Sequence, residues 1–186
     1  MSLATAEDVV RCPWGDDPAM IAYHDNEWGR ELRGDRELFE RMSLEAFQSG
    51  LSWLIILRKR ERFREVFADF DPEVVAAYGE ADIARLLGDV GIVRNRKKIE
   101  ATISNARTLL ALDDSFTELL WSFAPPPKPA PRSYAEVPAT TPESIAMAKT
   151  LKKQGFRFFG PTTAYALMQA TGMVNDHVAD CIARNP

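Results

Sequence analysis

The chain carries four side chains that are strong ligands for a soft metal ion, two cysteines and two histidines. They lie in pairs towards the two ends of the sequence: Cys12 with His24, and His177 with Cys181. The second pair has the i, i+4 spacing that places both side chains on one face of a helix. Four such ligands form the closed tetrahedral set that zinc takes in structural sites, and binding would join the first and last segments of the fold. The alternative is that the cysteines are small buried hydrophobes and the histidines are incidental.

Glu45 is a carboxylate at the edge of a predicted apolar surface. It follows Leu38 by seven residues and Met42 by three, which places it beside the apolar stripe of a helix. Burial penalises the charged form of a carboxylate, so such a residue is costly unless it is paired or used in chemistry. The alternative is a glutamate at the helix edge that reaches solvent or an arginine.

Residues 148–164 predict two helices on either side of a tight turn bounded by Gly155 and Gly160. Glycine lets the backbone approach a ligand, and the N–H groups at the start of the second helix favour an anion. Lysine and arginine side chains around the turn suit the phosphates of a nucleic acid. An ordinary helical hairpin with glycine caps is the alternative.

Trp14, Tyr23, Trp28 and Trp53 offer flat faces with polar groups at their edges. Such side chains can sandwich a planar base, and packing in the core is the alternative.

The elements that must position these residues are predicted to be helices, because the chain has no long alternating run of β-branched residues. Asp35 is predicted to cap a helix that buries Leu38, Phe39, Met42 and Ala46 on one side. Thr141, Pro142 and Glu143 predict the start of another. The predicted helices span residues 35–49, 51–68, 72–77, 80–87, 95–112, 142–155 and 161–172.

Seven of the twelve prolines lie between Ala124 and Pro142, which predicts an irregular, extended connection. The segments on either side of it have the character of one helical body. We therefore expect residues 1–186 to form a single domain whose core is split by a cleft.

The composition limits the possible classes of protein. The formal net charge is −4, which argues against wholesale coating of nucleic acid and still allows a local binding face. Positive charge is clustered at residues 58–64, 94–98 and 149–157, although solvated helix faces would give the same pattern. Two cysteines exclude a disulfide framework, and no apolar run approaches the ~18–20 residues of a membrane span. With no signal-peptide pattern at the N-terminus, we expect a cytoplasmic protein, associated with the nucleoid.

Several motifs extend from Arg11 to Cys181 and together are highly specific. They are Arg11-Cys12 with Trp14, Tyr23-His24-Asp25-Asn26-Glu27-Trp28-Gly29, Leu44-Glu45 with Gln48, Gly50-Leu51-Ser52-Trp53, Gly91-Ile92-Val93-Arg94, Asn105-Ala106-Arg107, Trp121-Ser122-Phe123, Leu151-Lys152-Lys153, Gly155-Phe156 with Phe158 and Gly160, and Val174-Asn175-Asp176-His177-Val178 with Cys181. On these residues the chain resembles the DNA-3-methyladenine glycosylase type I family, a branch of the helix-hairpin-helix glycosylase superfamily.

The resemblance implies an all-α, helix-hairpin-helix glycosylase-like fold with a cleft. In it, a zinc site joins residues 11–28 to residues 173–182, the hairpin spans about 144–171, and the proline-rich connection spans 124–142. The implied ligands of one structural Zn²⁺ are Cys12, His24, His177 and Cys181.

The resemblance also implies a base-excision repair enzyme that acts on double-stranded alkylated DNA and frees 3-methyladenine, as a monomer. Glu45 would recognise the base with Tyr23 as its partner, and Asp176 would not serve as a catalytic aspartate. The remaining base-binding residues would be Trp53, Trp14, Gln48 and Trp28. The residues implied at the DNA backbone are Lys153, Gly155, Phe156, Arg157, Gly160 and Thr162.

The chemistry of the lesion agrees with these roles. Methylation at N3 places positive charge on adenine and weakens the glycosidic bond, and flipping a damaged nucleotide costs less than flipping an intact one. Tryptophan faces would stack on the cationic base, and a carboxylate at Glu45 would favour it over neutral adenine. No lysine is recognisable as a Schiff-base nucleophile, so we expect base release without strand cleavage.

Two residues depart from the family pattern. Phe47 and Met20 stand where family members often carry a glutamine and a tyrosine. We expect Phe47 to keep the pocket wall apolar and Met20 to replace an aromatic ring with a flexible chain. These changes concern the preference between 3-methyladenine and 3-methylguanine.

Two other functions compete with a glycosylase. A zinc-stabilised protein that binds alkylation damage without catalysis would gain nothing from a carboxylate facing anionic DNA. A zinc hydrolase would need three protein ligands and a water, whereas this chain offers four.

Overall fold

A computed structural model of the chain describes residues 9–185. Within that range the fold consists of nine α-helices and two 3₁₀ turns, without a β-strand. The all-α prediction is therefore confirmed for the described range. The helices are α1 (Pro18–Asn26), α2 (Asp35–Gln48), α3 (Trp53–Val66), α4 (Pro72–Ala76), α5 (Glu80–Leu87), α6 (Arg96–Leu110), α7 (Phe116–Trp121), α8 (Pro142–Gln154) and α9 (Pro161–Ala170), and the 3₁₀ turns are Ala68–Phe70 and Tyr134–Glu136.

Helix α2 buries the stripe predicted for it, with Leu38, Phe39 and Met42 almost wholly enclosed. Its predicted cap is wrong, because Gly34 is the N-cap and Asp35 is the first helical residue. The Asp35 carboxylate instead accepts hydrogen bonds from the backbone N (2.8 Å) and Oγ1 (2.6 Å) of Thr117. Asp35 thus satisfies a free donor at the start of α7 and fixes that helix to α2.

Helix α3 begins at Trp53, two residues later than predicted, because residues 49–52 form a loop after α2. Lys98 from α6 holds this loop: its buried Nζ donates to the backbone oxygens of Phe47 (2.8 Å) and Ser49 (2.6 Å). These bonds satisfy carbonyls that the end of α2 leaves free. The loop therefore has a fixed course between two site-bearing helices.

Helix α8 starts with a capping box, although its partner differs from the prediction. Thr141 Oγ1 accepts from the backbone N of Ser144 (3.2 Å), and Ser144 Oγ accepts from the backbone N of Thr141 (2.9 Å). Ser144, rather than Glu143, occupies the third helical position. At the other end Gly155 has φ +107°, a left-handed conformation that suits glycine and ends the helix as predicted.

Three parts of the chain differ from the predicted elements. Helices α1 and α7 were not predicted. The segment from His177 to Cys181 is not helical, so the helix suggested by its spacing is wrong. The two side chains nevertheless converge, because an irregular turn, with Cys181 N bonded to Val178 O at 3.0 Å, brings them together.

Two groups of buried side chains hold the fold together. The larger core draws on α2, α3, α6, α8 and α9. Phe47 lies wholly inside it, with its ring tilted against that of Phe63 (4.7 Å between ring centroids). The expectation that Phe47 forms a pocket wall is therefore wrong. The smaller group joins residues from both ends of the chain, and there Ile182 N donates to Val10 O (3.0 Å). None of the helices between residues 9 and 185 has the length and apolar character needed to cross a membrane.

Candidate functional site

A cavity of about 440 Å³ opens beside the smaller buried group, between α1, α2, α3 and α9. Its volume falls in the range of small-molecule sites. All six residues proposed from the sequence for base binding line it. They are Trp14, Tyr23, Trp28, Glu45, Gln48 and Trp53.

Aromatic rings form much of the cavity wall. Trp14 meets Trp28 edge to face (5.1 Å between centroids), and Tyr23 is tilted against Trp53 (5.4 Å). The indole N–H groups of Trp14 and Trp53 are buried, and neither has a hydrogen-bond partner within residues 9–185. The wall therefore combines broad π faces with two donors that the protein leaves unused.

Glu45 faces this cavity from α2 and is only 5% exposed, so the alternative of a solvent-facing glutamate is wrong. Burial raises the pKa of Glu45 to about 7, and the positive charge of Arg41 opposes that rise. No side chain or backbone N–H of the described range donates a hydrogen bond to its carboxylate. Glu45 is therefore an acceptor held near its protonation midpoint at neutral pH, with its lone pairs free for a ligand.

Tyr23 lies on α1 across from Glu45, and its ring is 3% exposed. Its hydroxyl oxygen accepts a hydrogen bond from Nη1 of the buried Arg41 (2.7 Å). Burial raises the pKa of Tyr23 above its ordinary value, so the phenol stays protonated at neutral pH. Its own hydrogen remains available to another acceptor.

The four soft ligands meet in a buried cluster next to the cavity. Their ligand atoms all lie within 4.8 Å of one another. His177 Nδ1 lies 3.7 Å from Cys12 Sγ and 3.5 Å from Cys181 Sγ, which is 3.4 Å from His24 Nε2. A tetrahedron with bonds of about 2.0–2.3 Å has edges of about 3.3–3.8 Å, so these three distances suit a tetrahedral ion. The alternative of incidental residues does not explain this convergence.

Each histidine of the cluster is oriented through its other ring nitrogen. His24 Nδ1 lies 2.7 Å from Asp25 Oδ1, and Arg11 holds the Asp25 carboxylate (Nη2 to Oδ2, 2.9 Å). His177 Nε2 lies 2.9 Å from the backbone oxygen of Trp28. Such outer contacts fix the tautomer and leave the remaining nitrogen free to bind a metal.

The helical hairpin consists of α8 and α9, and α9 also reaches the cavity through Ala166 and Gln169. Helices α8 and α9 pack together, and residues 155–160 connect them. Asn105 of α6 fixes the turn, because its side chain accepts from Arg157 N (2.8 Å) and donates to Arg157 O (3.0 Å). The side chain of Phe156 is buried against Phe116 (5.3 Å between centroids), so we assign it to hairpin packing. The other residues proposed for DNA contact are exposed: Lys153, Gly155, Arg157, Gly160 and Thr162.

Asp176 is buried behind the cavity and does not line it. Tyr165 donates to its Oδ2, as does Gln169 Nε2 (3.0 Å). Lys128 Nζ forms an ion pair with Asp176 Oδ1 at 2.8 Å, but the geometry does not meet the requirements of a hydrogen bond. Asp176 thus ties the proline-rich connection to α9 and to the segment that carries His177.

Comparison with known proteins identifies the family of the chain. The family model described as methyladenine glycosylase matches residues 14–185, almost the whole described range. DNA-3-methyladenine glycosylase 1 of Escherichia coli (strain K12) is 47% identical over 177 residues, which cover 92% of this chain and 95% of that protein. The chain belongs to the methyladenine glycosylase family.

Solved structures of 3-methyladenine DNA glycosylase I match this chain over almost its whole length. A crystal structure of 3-methyladenine DNA glycosylase I matches with a TM-score of 0.91 and 48% identity, over 94% of this chain and 100% of that one. A tyrosine-to-phenylalanine variant of 3-methyladenine DNA glycosylase I in complex with 3-methyladenine matches with a TM-score of 0.88 and 34% identity, over 92% and 95% of the two chains.

Some residues of this methyladenine glycosylase site were not signalled by the sequence. Tyr134 enters the cavity wall from the proline-rich connection, and Gln169 enters it from α9. Met20 also lines the cavity, so its departure from the family pattern lies in the pocket itself. A tyrosine among prolines has no periodic pattern that could reveal its orientation.

Proposed function

We propose that this protein removes 3-methyladenine from alkylated double-stranded DNA by hydrolysis of the N-glycosidic bond. The observation that carries the proposal is Glu45, a buried carboxylate without a protein hydrogen-bond donor in the described range, placed in an aromatic-walled cavity. A ligand that brings both positive charge and N–H donors would satisfy this carboxylate. 3-Methyladenine in DNA has both properties.

The lesion supplies much of the driving force. Methylation at N3 leaves the base cationic and already a good leaving group, so the enzyme needs to extrude the nucleotide and stabilise the departing base. Extrusion costs a few kcal/mol, and less for a damaged base. Stacking of a cationic purine on Trp53 and Trp14 would offset about 0.5–2 kcal/mol per face.

Glu45 and Tyr23 would distinguish the lesion from normal adenine. Ionised Glu45 accepts hydrogen bonds from the edge of the base and favours its positive charge, whereas neutral adenine gains no such stabilisation. The protonated Tyr23 hydroxyl orients the base as a donor. When the base leaves, water captures the oxocarbenium-like sugar.

We expect the enzyme to leave the DNA strand intact. Among residues 9–185 no lysine lines the cavity, so a Schiff-base intermediate has no nucleophile there. The nearby Lys98 is buried with its ammonium bonded to two backbone oxygens. The product would be free base and an abasic site.

We further propose that Cys12, His24, His177 and Cys181 hold one zinc ion. Two thiolates and two imidazoles suit zinc, which would stabilise the packing of the chain ends. With four protein ligands the ion has no open position for water, so its role would be structural.

DNA would bind across the exposed face of the hairpin, with the protein acting as a monomer. The turn carries Arg157 and Lys153, and α9 begins with free backbone N–H groups at Thr162 and Thr163. These groups suit phosphate oxygens on either side of a flipped nucleotide.

The test is base release from methylated duplex DNA, with freed bases identified by mass spectrometry. We expect free 3-methyladenine from the wild type and a reduction of about 10²–10³-fold in Glu45→Gln, as for removal of one key electrostatic group. Glu37→Gln, on the exposed side of the same helix, is the matched control and should remain active. Release of no base by folded wild type would reject the proposal, and retained binding to the same DNA would indicate a damage-recognition protein.

A further inference from the structure

A buried arginine lies directly behind the proposed base-binding residues. Arg41 is 8% exposed and stands on α2, one helical turn before Glu45. Its Nη1 donates to the hydroxyl oxygen of Tyr23 (2.7 Å), and its Nη2 lies 3.4 Å from Glu27 Oε2. One guanidinium therefore connects Tyr23 of the cavity wall to Glu27, which lies behind that wall.

The charges around Arg41 form a balanced group. Glu27, at the end of α1, receives Arg60 of α3 in a bidentate pair (2.7 and 2.9 Å). Arg41 and Arg60 thus both contact Glu27, and Glu45 stands one helical turn from Arg41. The adjoining Arg64 and Glu40 pair with each other (2.7 Å) and add no net charge, so the group is neutral only while Glu45 is ionised. Protonation of Glu45 leaves one surplus positive charge beside the cavity, which repels a cationic base.

Other titratable groups face the cavity from different elements. Asp16 and Asp17 line it from the loop before α1, and Tyr134 lines it from the proline-rich connection. Asp17 is paired with Arg58 (2.7 Å), and that pairing adds to the backbone hydrogen bond that lowers the pKa of Asp17. None of these groups is on α2 with Glu45, whereas Arg41 is one turn away and buried with it.

Arg41 also determines the direction of the Tyr23 hydroxyl. A guanidinium has five donors and no acceptor, so the Tyr23 oxygen must accept from it. The Tyr23 hydrogen is then directed elsewhere and can donate to a group in the cavity. Without Arg41 the hydroxyl could rotate freely between donor and acceptor roles.

From these contacts we infer that Arg41 is a positioning residue for base release: it favours the ionised form of Glu45 before the base enters and fixes Tyr23 as a donor. The inference rests on the proposed function. It extends that function, because it makes recognition of a cationic base depend on two opposite charges, Arg41 and Glu45, one helical turn apart on α2.

The sign of the pH dependence follows from these charges. Burial raises the pKa of Glu45 and Arg41 opposes the rise, so removal of Arg41 moves this pKa further upward. Base release needs the carboxylate, so the acid limb of its pH profile moves to higher pH. On that limb each unit of displacement lowers the rate about tenfold at fixed pH.

The experiment compares pH profiles of kcat/KM for 3-methyladenine release in wild type, Arg41→Met and Arg41→Lys, corrected for spontaneous release. For Arg41→Met we expect an acid limb displaced upward by about one unit or more. A smaller loss, equal at every pH, should accompany it because the Tyr23 hydroxyl is no longer fixed. Arg41→Lys should lie close to the wild type in its acid limb, because it keeps the charge. Arg36→Met, which removes an exposed charge from the same helix, is the matched control and should leave the profile unchanged.

Two results would overturn the inference. In one, folded Arg41→Met has the acid limb of the wild type; in the other, it loses activity by the same factor at every pH, as expected for a merely structural residue. If Arg41→Met does not fold, Arg41→Gln replaces it as the variant without the charge and is compared with Arg41→Lys, which keeps the charge. Circular dichroism verifies folding. An inactive wild type would instead reject the proposed function, so the two failures are distinguishable.

Discussion

His177 and Trp28 connect the Cys/His cluster to the cavity. His177 Nε2 lies 2.9 Å from the backbone oxygen of Trp28, and the two rings meet edge to face, 4.7 Å apart. The Trp28 ring lines the cavity, while the other nitrogen of His177 points to the ligand cluster. Any change that moves His177 therefore also moves a wall of the base pocket.

Removal of the metal should loosen the pocket before it affects the main core. We expect chelation of the zinc-loaded protein, or Cys181→Ser, to lower the melting temperature and weaken binding of free 3-methyladenine, because a closed zinc site contributes directly to folding stability. Calorimetry, zinc analysis and tryptophan fluorescence titration measure these effects. Unchanged stability after complete metal removal would contradict a structural site.

Gly29→Ala should destabilise the junction between the cluster and the cavity. Gly29 has φ +77°, and an added Cβ would lie 2.9 Å from His177 Nε2. We expect a loss of roughly 1–3 kcal/mol in the free energy of unfolding, measured with denaturant. Gly79→Ala is the matched control, since it has negative φ and open space around the added Cβ, and it should change stability by less than about 1 kcal/mol.

Tyr134 should contribute to base binding from the proline-rich connection. Its ring lines the cavity, so Tyr134→Ala should weaken the affinity for free 3-methyladenine by about 3- to 10-fold, the range of a single aromatic contact. Tyr134→Phe keeps the ring and should bind within about twofold of the wild type. Equal affinity in all three proteins would mean that the ring does not contact the base.

Arg157 should act on DNA affinity rather than on recognition of the lesion. It is exposed on the hairpin turn, and its backbone is held by Asn105. Arg157→Ala should weaken binding to methylated and unmethylated duplexes alike and reduce the magnitude of the salt dependence, d log K/d log[salt], by about 1. Fluorescence anisotropy over a range of salt concentrations measures both quantities. A selective loss for methylated DNA would contradict this role.

The sequence predicts the fold best where local signals and burial agree. Glu80–Leu87 has the predicted bounds because glycines flank it and its apolar residues keep helical spacing. Helix α1 could not be predicted in the same way. Its residues face the Cys/His cluster on one side and the cavity on another. It therefore lacks a single apolar stripe.

Only some residues of the candidate site could be predicted from the sequence. Glu45 and the four metal-ligand residues stand out by type and position. Arg41 does not, because its partners Tyr23 and Glu27 are 18 and 14 residues away and belong to another element. The tertiary fold alone turns this arginine inward and makes it a counter-charge.

The meeting of the two chain ends has a consequence for the order of events during synthesis. Cys12 and His177 are 165 residues apart in sequence, so the N-terminal wall of the cavity lacks its supports until the segment that carries His177 has been synthesised. The larger core takes Met173 and Val174 from the start of that segment and its other members from residues 38–168, so most of that core can form earlier. A nascent or truncated chain without residues 175–185 would therefore keep most of the larger core while the wall of the cavity is unsupported, and we expect base release to require that segment.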